Sequence, residues 1–313
     1  MAIRRILIAN RGEIAARIIR TCHALDIESV LAVSLADRDS EPARQADRVV
    51  CIGPARPADS YLNAPALVHA AVATGADAIH PGYGFLSERA VLPQLCTAAG
   101  IVFIGPTAAQ IGAIGDKLRA RAEAEAAGIP VVPGGAANSR AQAEALAGRI
   151  AAPLLIKAVG GGGGRGLKLV ERLKDLPELL DLAAAEAGAA FGDARIYLER
   201  FIDRARHVEV QILGDGAGRV IQLGERDCSV QRRYQKLIEE TPAPGLSAAL
   251  RNSLLQAAVR FAQRLSFRGA GTVEFIVDDA AQEYIARHQQ EVEHQDSRKQ
   301  ATEDCARSSE QRA

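Results

Sequence analysis

A run of five glycines, residues 160–164, lies between two basic residues, Lys157 and Arg165. Consecutive glycines cost backbone entropy that the interior of a helix or strand does not recover. They suit a loop whose N–H groups approach an anion closely. A flexible linker is the alternative, but linkers are usually polar on both sides, whereas this run follows the apolar residues 154–156. The pattern therefore predicts a phosphate-binding loop between two strands.

Three further residues are of types that contact nucleotides. Lys117 begins a predicted helix, where its ammonium could reach a phosphate. Glu199 ends a predicted strand, where its carboxylate could accept ribose hydroxyls and the backbone after it could read an adenine edge. His207 follows two arginines and could donate a hydrogen bond. Taken singly, a surface lysine, a strand-end charge and a structural histidine are the commoner interpretations, and only the company of the glycine run favours nucleotide binding.

The segment 225–236 is denser in polar side chains than a strand and turn require. Its cations Arg232, Arg233 and Lys236 could bind a small oxyanion or a phosphoryl group in transfer. Cys228 is a candidate nucleophile, but no histidine and asparagine pattern accompanies it. A small buried residue is the favoured interpretation of that cysteine.

A single acidic residue, Glu274, interrupts the apolar strand pattern at residues 271–277. In an extended strand its side chain points away from Val273 and Phe275. A carboxylate in that position could hold a Mg²⁺ ion that bridges nucleotide phosphates. One carboxylate rarely suffices for this, so we expect a second acidic residue nearby.

The composition excludes several classes of protein. Lys plus Arg and Asp plus Glu number 38 each among 313 residues, so no overall field favours nucleic acid or an anionic membrane. The five cysteines are widely spaced, as in a reduced cytosol, and no pair has zinc-site spacing. The apolar stretch at residues 6–9 is too short for a signal peptide. These features predict a soluble cytoplasmic protein without nucleic-acid or membrane partners.

The elements that must hold these residues follow from the apolar pattern. In the first third of the chain, short apolar runs alternate with helical patterns, which predicts a parallel sheet with strands at residues 3–9, 29–33, 78–79 and 102–104. One helix should bury Ile14, Ile18, Ile19 and Cys22. Turn residues at 80–85 follow a strand, the position at which ligands bind in open α/β sheets.

From about residue 131 the pattern changes to α+β. A charged helix is expected before it at residues 116–127. Strands are then predicted at residues 154–157 and 168–170, on either side of the glycine run. A helix at 174–187 and strands at 196–199, 207–213 and 271–277 follow, the strand at 207–213 being half-buried. Residues 287–313 contain one Val and no Leu, Ile, Phe, Tyr or Met, which predicts a disordered tail.

Taken together, the motifs resemble the biotin carboxylase family, the ATP-grasp component of biotin-dependent carboxylases such as acetyl-CoA carboxylase. The resemblance covers about residues 1–285 and rests on an ordered series of segments: residues 8–15, 80–88, the glycine run with Lys157, 225–236, 242–245 and 268–272. It implies an α/β fold, with a Rossmann-like parallel sheet at 1–113 followed by an incomplete ATP-grasp α+β domain at 114–286. Residues 131–201 would form a mobile lid, and residues 287–313 the tail.

The resemblance also implies a reaction, in which ATP phosphorylates bicarbonate and the released CO₂ carboxylates biotin on a carrier. Lys236 would bind bicarbonate as the catalytic residue, and Glu274 would ligate Mg²⁺ or Mn²⁺. ATP would be bound by residues carried over position by position from the family pattern: Lys117, Lys157, Gly163, Gly164, Glu199, Arg200, Phe201, Ile202, His207, Gln231 and Tyr234. The family commonly has histidine in place of Tyr234, and a phenol cannot supply a cationic contact to phosphate.

A larger departure from the family pattern begins after residue 285. The family supplies there a second metal-binding glutamate, an asparagine, a catalytic arginine and the general base, whereas this chain has Ala-Arg-His-Gln-Gln at 286–290. The sequence Glu-Val-Glu-His at 291–294 partly resembles the family segment that carries the general base, but it is shifted along the chain relative to that segment, so no role is transferred to Glu293. From the same resemblance we expect the family's C-terminal subdomain, which completes the biotin site and much of the dimer contact, to be absent.

Two hypotheses of different classes follow. The first is a biotin carboxylase that serves fatty acid biosynthesis or another acyl-CoA carboxylase. Its partners would be bicarbonate, a biotin carboxyl carrier protein or domain and carboxyltransferase subunits, and it would form a homodimer that truncation weakens. The second is a truncated, impaired relative that at most binds ATP, for which ADP release should not exceed that of a Lys236→Ala variant. A carbamoyl-phosphate synthetase-like module is a weaker third hypothesis, disfavoured by residues 82–85 and 268–272.

Overall fold

The computed structural model describes residues 2–137, 139–159, 167–202, 205–232, 235–278 and 283–286, in a mixed α/β fold. The chain divides into two compact units. The first comprises Met1–Glu123, Ile212–Leu223 and Ala258–Gly271, and the second comprises Ala124–Gln211, Gly224–Ala257 and Thr272–Ala313. The predicted tail at 287–313 lies outside the described residues. Among the described helices, none has both the length and the apolar character that a membrane span requires.

The first unit contains a parallel sheet of five strands. They are β1 (Arg5–Ile8), β2 (Glu28–Ser34), β3 (Arg48–Gly53), β4 (Ala78–His80) and β5 (Val102–Phe103), in the order β3-β2-β1-β4-β5. The helices along this stretch of chain are α1 (Gly12–Ala24), α2 (Glu41–Gln45), α3 (Ala64–Thr74), α4 (Val91–Ala98), α5 (Ala108–Gly115) and α6 (Lys117–Ala126). The predicted Rossmann-like sheet is confirmed. The strand predictions did not include β3, an edge strand in which three of the six residues are exposed and only Ile52 is buried.

Apolar residues on both faces of this sheet explain why its strands read as continuous apolar runs. Alternate residues of β1 enter different cores. Leu7 belongs to a cluster with residues of α3 and α4, whereas Ile6 and Ile8 belong to a cluster with residues of α1. Helix α1 buries Ile18, Ile19 and Cys22 as the sequence predicted, and it also buries Ala15, while Ile14 is partly buried.

The predicted turn after β4 is held by a side chain that follows β1. The amide of Asn10 donates hydrogen bonds to the carbonyl oxygens of Pro81, at 2.7 Å, and Tyr83, at 2.9 Å. Gly82 has a φ of +65°, and a Cβ there would lie 2.6 Å from the Asn10 amide nitrogen. Only glycine therefore fits this turn. The loop is fixed at the carboxyl ends of two adjacent strands.

The second unit contains an antiparallel sheet that carries the strands on either side of the glycine run. Its order is β6-β9-β7-β8, with β6 at Gly134–Ala137, β7 at Leu154–Ala158, β8 at Lys168–Val170 and β9 at Ile196–Arg200. Helices α7 (Arg140–Ile150) and α8 (Leu176–Phe191) cover one face, where a cluster of buried apolar side chains includes Leu154, Ile156 and Leu198. The predicted strands at 154–157, 168–170 and 196–199 are confirmed.

A third sheet of five strands has the order β12-β11-β10-β13-β14. Its strands are β10 (Arg206–Asp215), β11 (Val220–Arg232), β12 (Gln235–Glu240), β13 (Arg268–Asp278) and β14 (Glu283–Ala286), and helix α9 spans Ala248–Arg264. The pairs β11–β12 and β13–β14 are antiparallel. The strands predicted at 207–213 and 271–277 are confirmed as β10 and β13.

Candidate active site

A buried ion pair joins two neighbouring strands of the second unit. Lys157 on β7 lies opposite Tyr197, and Leu155 lies opposite Glu199 on β9, so Lys157 and Glu199 are diagonal neighbours on one face of the sheet. The Lys157 ammonium bonds the Glu199 carboxylate, and the two side chains are only 3% and 4% exposed. The opposite face packs against α7 and α8. The lysine predicted to bind ATP is thus paired with a carboxylate that the sequence suggested for ribose.

The remaining residues predicted near this pair have different placements. Gly163 and Gly164 of the glycine run and Tyr234 lie outside the described residues. Lys117 is the first residue of α6, in the first unit. Arg200 ends β9, and its backbone N–H donates to the Pro133 carbonyl at 2.8 Å.

Backbone donors after Glu199 are also used within the fold. The N–H of Phe201 donates to the Pro153 carbonyl at 3.0 Å, and Phe201 and Ile202 are both partly buried. These bonds fix the chain as it leaves β9. Recognition of adenine by the segment 199–202 stays a prediction.

A second group of polar side chains lies on the third sheet, within the second unit. His207 and Glu209 project from the same face of β10, because residues two apart share a face. Glu274 on β13 lies 3.5 Å from the His207 Nε2 atom through its Oε2 atom and 3.6 Å from the Lys236 ammonium through its Oε1 atom. The Lys236 ammonium also bonds Glu209. The structure therefore brings together three residues predicted separately from sequence, His207, Lys236 and Glu274.

Burial of this group differs from the prediction for β10. That strand was expected to be half-buried, with its polar face exposed. Instead His207 is 6% exposed and Glu209 is 2% exposed, like the apolar Val208 and Val210 on the other face. The expectation was wrong because alternation of apolar and polar residues reports polarity, and here the polar face is enclosed by paired charges rather than by water.

Gln231 orients the imidazole of His207. Its side-chain amide lies 2.6 Å from the His207 Nδ1 atom and also donates to the Cys228 carbonyl at 2.7 Å. Gln231 thus engages Nδ1, and Nε2 is the ring nitrogen on the side of Glu274, 3.5 Å from its Oε2 atom. Gln231, predicted to bind nucleotide, is thus in contact with the histidine of the cluster.

Charge and burial oppose each other at Lys236. Burial alone would lower the pKa of its ammonium, but the hydrogen bond and charge of Glu209, together with the charge of Glu274, outweigh burial and raise the pKa. Lys236 is therefore a cation at neutral pH, as an anion-binding residue must be. Burial, with the nearby Glu209 carboxylate, raises the pKa of the Cys228 thiol to about 12. Cys228 is wholly buried, as its favoured interpretation predicted, and is not a nucleophile at neutral pH.

The cluster has the donors that a hard divalent cation requires. One ligand atom each from His207, Glu209 and Glu274 lies within 4.8 Å of the others. Two carboxylates fit Mg²⁺, which prefers oxygen ligands and retains several waters, and an added imidazole is a ligand that Mn²⁺ accepts. Glu209 is the second acidic residue that the sequence required beside Glu274.

Two residues of the site were missed from the sequence, Glu209 and Arg226. Glu209 occurs in the alternating stretch 207–213, where a histidine, a glutamate and a glutamine occupy every second position. That spacing was the available signal. Arg226 lies in the polar segment 225–236, and its guanidinium contacts Glu209 with a closest distance of 2.5 Å. Nothing in the sequence indicates that pairing, because it depends on how β10 and β11 are aligned.

Comparison with known families gives matches over most of the chain. Residues 2–111 match the family described as biotin carboxylase, N-terminal domain, and residues 116–294 match the family described as carbamoyl-phosphate synthase L chain, ATP binding domain. The biotin carboxylase of Nostoc sp. is 49% identical over 283 residues, which are 90% of this chain and 63% of the relative. That of Haemophilus influenzae is 46% identical over 294 residues, which are 93% of this chain and 66% of the relative. The chain thus spans less than two thirds of the length of these curated relatives.

Solved structures of biotin carboxylases also match this chain. The biotin carboxylase–β,γ-ATP complex from Campylobacter jejuni superimposes with a TM-score of 0.88 at 45% identity, over 94% of this chain and 67% of that one. The biotin carboxylase domain dimer of the Hydrogenobacter thermophilus 2-oxoglutarate carboxylase, in complex with MgADP, ADP and bicarbonate, gives a TM-score of 0.86 at 40% identity. It covers 94% of this chain and 66% of that one.

Proposed function

Since the chain belongs to the biotin carboxylase family, a family of ATP-dependent ligases, we propose that it uses ATP to activate bicarbonate for the carboxylation of carrier-bound biotin. The observation that carries the proposal is the convergence of Lys236, Glu209, Glu274 and His207 from three strands of one sheet. This arrangement offers a cation for bicarbonate beside carboxylates for a metal. Neither feature alone would distinguish the site from a structural ion pair.

The residues of the cluster have complementary tasks in this proposal. The Lys236 ammonium binds bicarbonate and places its oxygen towards the terminal phosphate of ATP. Glu274, with Glu209 and His207, would hold the metal, which when bound neutralises charge on the nucleotide phosphates. Lys157 contacts the nucleotide as a point charge. A metal beside Glu274 would also weaken the hold of that carboxylate on Lys236 and leave the ammonium available to the anion.

We extend the proposal to the wider assembly of the family. It comprises a biotin carboxyl carrier protein or domain as the source of biotin, carboxyltransferase subunits as users of the product, and a homodimer. Fatty acid synthesis through acetyl-CoA carboxylase is the proposed pathway, and the cytoplasm the proposed location. The boundaries 1–113 and 114–286, and a lid at 131–201, complete the proposed domain arrangement.

A second candidate function is nucleotide binding without carboxylation. The observation that favours it is the sequence at residues 286–290, which lacks the metal-binding glutamate, the asparagine and the arginine of the family pattern. Such a chain would retain Lys157 and Lys236 but could not complete the transfer.

Measurement of ADP release separates the two candidates. The full chain is incubated with ATP, Mg²⁺ and bicarbonate, with or without free biotin, beside a Lys236→Ala variant. Carboxylation predicts that ADP release rises with bicarbonate and biotin and that the rise is lost in the variant. Equal ADP release by the two chains, with nucleotide binding intact, would favour the second candidate.

A further inference from the structure

We propose that Arg226 is a positioning residue for Lys236 and acts through Glu209. The proposal rests on the assignment of Lys236 to bicarbonate and adds a residue to that site. Glu209 is the link, because its two carboxylate oxygens are used by different cations. Oε1 accepts from Arg226, at 2.6 Å from Nε and 2.5 Å from Nη2, and Oε2 accepts from Lys236.

The guanidinium is itself fixed on more than one side. Its Nη2 atom donates to the Gln211 side-chain carbonyl at 3.1 Å, and Glu239 lies 3.7 Å from Nε. Gln211 and Glu209 share a face of β10, so the planar fork spans two successive side chains of one strand. Lysine cannot reproduce such a fork, because its ammonium is a point charge. The geometry points to the arginine as the part that sets the orientation of Glu209.

Lys236 needs such a support because its stem is flexible. Its side chain is 28% exposed, and among the described residues its ammonium pairs with Glu209 and Glu274. Glu209 accepts a hydrogen bond from the ammonium, whereas Glu274 lies 3.6 Å from it, so Glu209 is the carboxylate that locates the ammonium. A shift of this ammonium moves bicarbonate away from the phosphate, and misplacement by about 1 Å can cost about a hundredfold in rate. Arg226 therefore controls bicarbonate use without touching bicarbonate.

The competing explanation is that Arg226 and Glu209 form a purely structural ion pair between β10 and β11. Steady-state kinetics with two variants distinguishes this from a positioning role. We expect Arg226→Met to lower kcat/KM for bicarbonate by about 10- to 100-fold and to leave the KM for ATP nearly unchanged. Arg226→Lys keeps the positive charge but not the planar guanidinium, so it should restore little of the lost kcat/KM for bicarbonate. Arg219→Met is the matched control, since Arg219 is 92% exposed and pairs only locally with Asp215 among the contacts described. Equal losses towards ATP and bicarbonate, or full rescue by lysine, would overturn the proposal.

A second measurement decides the point even if the chain does not turn over. Lysines are acylated competitively with a trace reagent, and the labelling of Lys236 is quantified by mass spectrometry in wild type, Arg226→Met and Arg219→Met. Loss of positioning releases the ammonium from Glu209, so labelling of Lys236 should rise several-fold in Arg226→Met alone. Unchanged or slower labelling would overturn the proposal, because Glu209 freed of its arginine but still in place would hold the lysine more tightly. Absence of bicarbonate-dependent turnover in wild type would instead count against the proposed function.

Discussion

Breaking the buried pair between Lys157 and Glu199 should cost far more stability than breaking a surface pair. The two side chains are 3% and 4% exposed, so a Glu199→Gln variant removes the negative charge that Glu199 supplies beside a buried ammonium. Removing one partner of a buried pair typically costs about 3–5 kcal/mol. Replacing both by apolar residues of similar volume, as in Lys157→Met with Glu199→Leu, is often neutral or stabilising. We therefore expect the single variant to be much less stable than the double variant.

Native-state hydrogen exchange, read by mass spectrometry on peptides that cover β7 and β9, measures this locally. It is preferable to a global unfolding curve, because a chain with two compact units need not unfold in one step. Arg140→Met is the control. Arg140 pairs with Glu144 on α7, and the two side chains are 59% and 50% exposed, so the local stability should change by no more than about 0.5 kcal/mol.

Two outcomes would refute this reasoning. One is a Glu199→Gln variant that exchanges no faster in β7 and β9 than the Arg140→Met control. The other is a double variant whose loss of protection equals the sum of the losses measured in Lys157→Met and Glu199→Leu singly, since that would mean that the charges do not stabilise each other. The double variant also separates stability from function, because it should keep the strands and lose the lysine proposed to contact ATP.

Three further predictions concern other parts of the chain. Burial lowers the pKa of His80 below its usual value of about 6.5, so on acidification the unfolded chain takes up the proton before the folded chain does. The contribution of His80 to the free energy of unfolding should therefore be complete above about pH 6.5 and fall as the pH drops towards the lowered pKa. Urea midpoints between about pH 5 and 8 should vary less in His80→Gln than in wild type. A thiol reagent should modify the exposed Cys51 and leave the buried Cys228 unmodified, as mass spectrometry would show. The pKa of the Cys228 thiol is raised to about 12, which disfavours the reactive thiolate. Rapid modification of Cys228 in the folded protein would contradict its burial. A Gly134→Ala change places a Cβ 2.4 Å from the backbone oxygen of Leu198 and should cost about 1–3 kcal/mol by exchange of β9. Gly148→Ala, with nothing within 4 Å of the added atom, should cost nothing, and similar losses in the two variants would be evidence against this packing.

Prediction from sequence succeeded where burial of an element produces a recognisable pattern of apolar residues along the chain. The parallel sheet was predictable because both of its faces are covered, so β1, β2, β4 and β5 appear as apolar runs between helices. β3 was not predicted although its residues 49–52 form a short apolar run, and in the structure it is an edge strand in which only Ile52 is buried. The role predicted for Glu199 at the ribose stays a prediction, and the bond between its carboxylate and Lys157 was not predicted. That contact depends on the register of β7 against β9, which single-strand patterns do not report.

In the candidate site, too, some residues could be selected from the sequence and others could not. Lys236 and Glu274 could be selected because a cation and a carboxylate stand out in their segments, and family resemblance supplied their proposed roles. Glu209 and Arg226 could not, because their importance comes from the pairing of β10 with β11, two strands whose alignment brings opposite charges together in a buried place. A charged residue in an alternating strand normally indicates a solvent-facing side. Only the structure shows that this side is enclosed.

Binding of MgATP to the full chain, measured by calorimetry, tests the central claim most directly, because both candidate functions require it. The account predicts saturable binding that needs Mg²⁺ and weakens at least about tenfold in the Lys157→Met, Glu199→Leu double variant, the loss expected for one charge-assisted hydrogen bond. Binding should be unchanged in Lys174→Met, a control at an exposed lysine. No binding by the wild-type chain, or equal affinity in wild type and a folded double variant, would contradict the account.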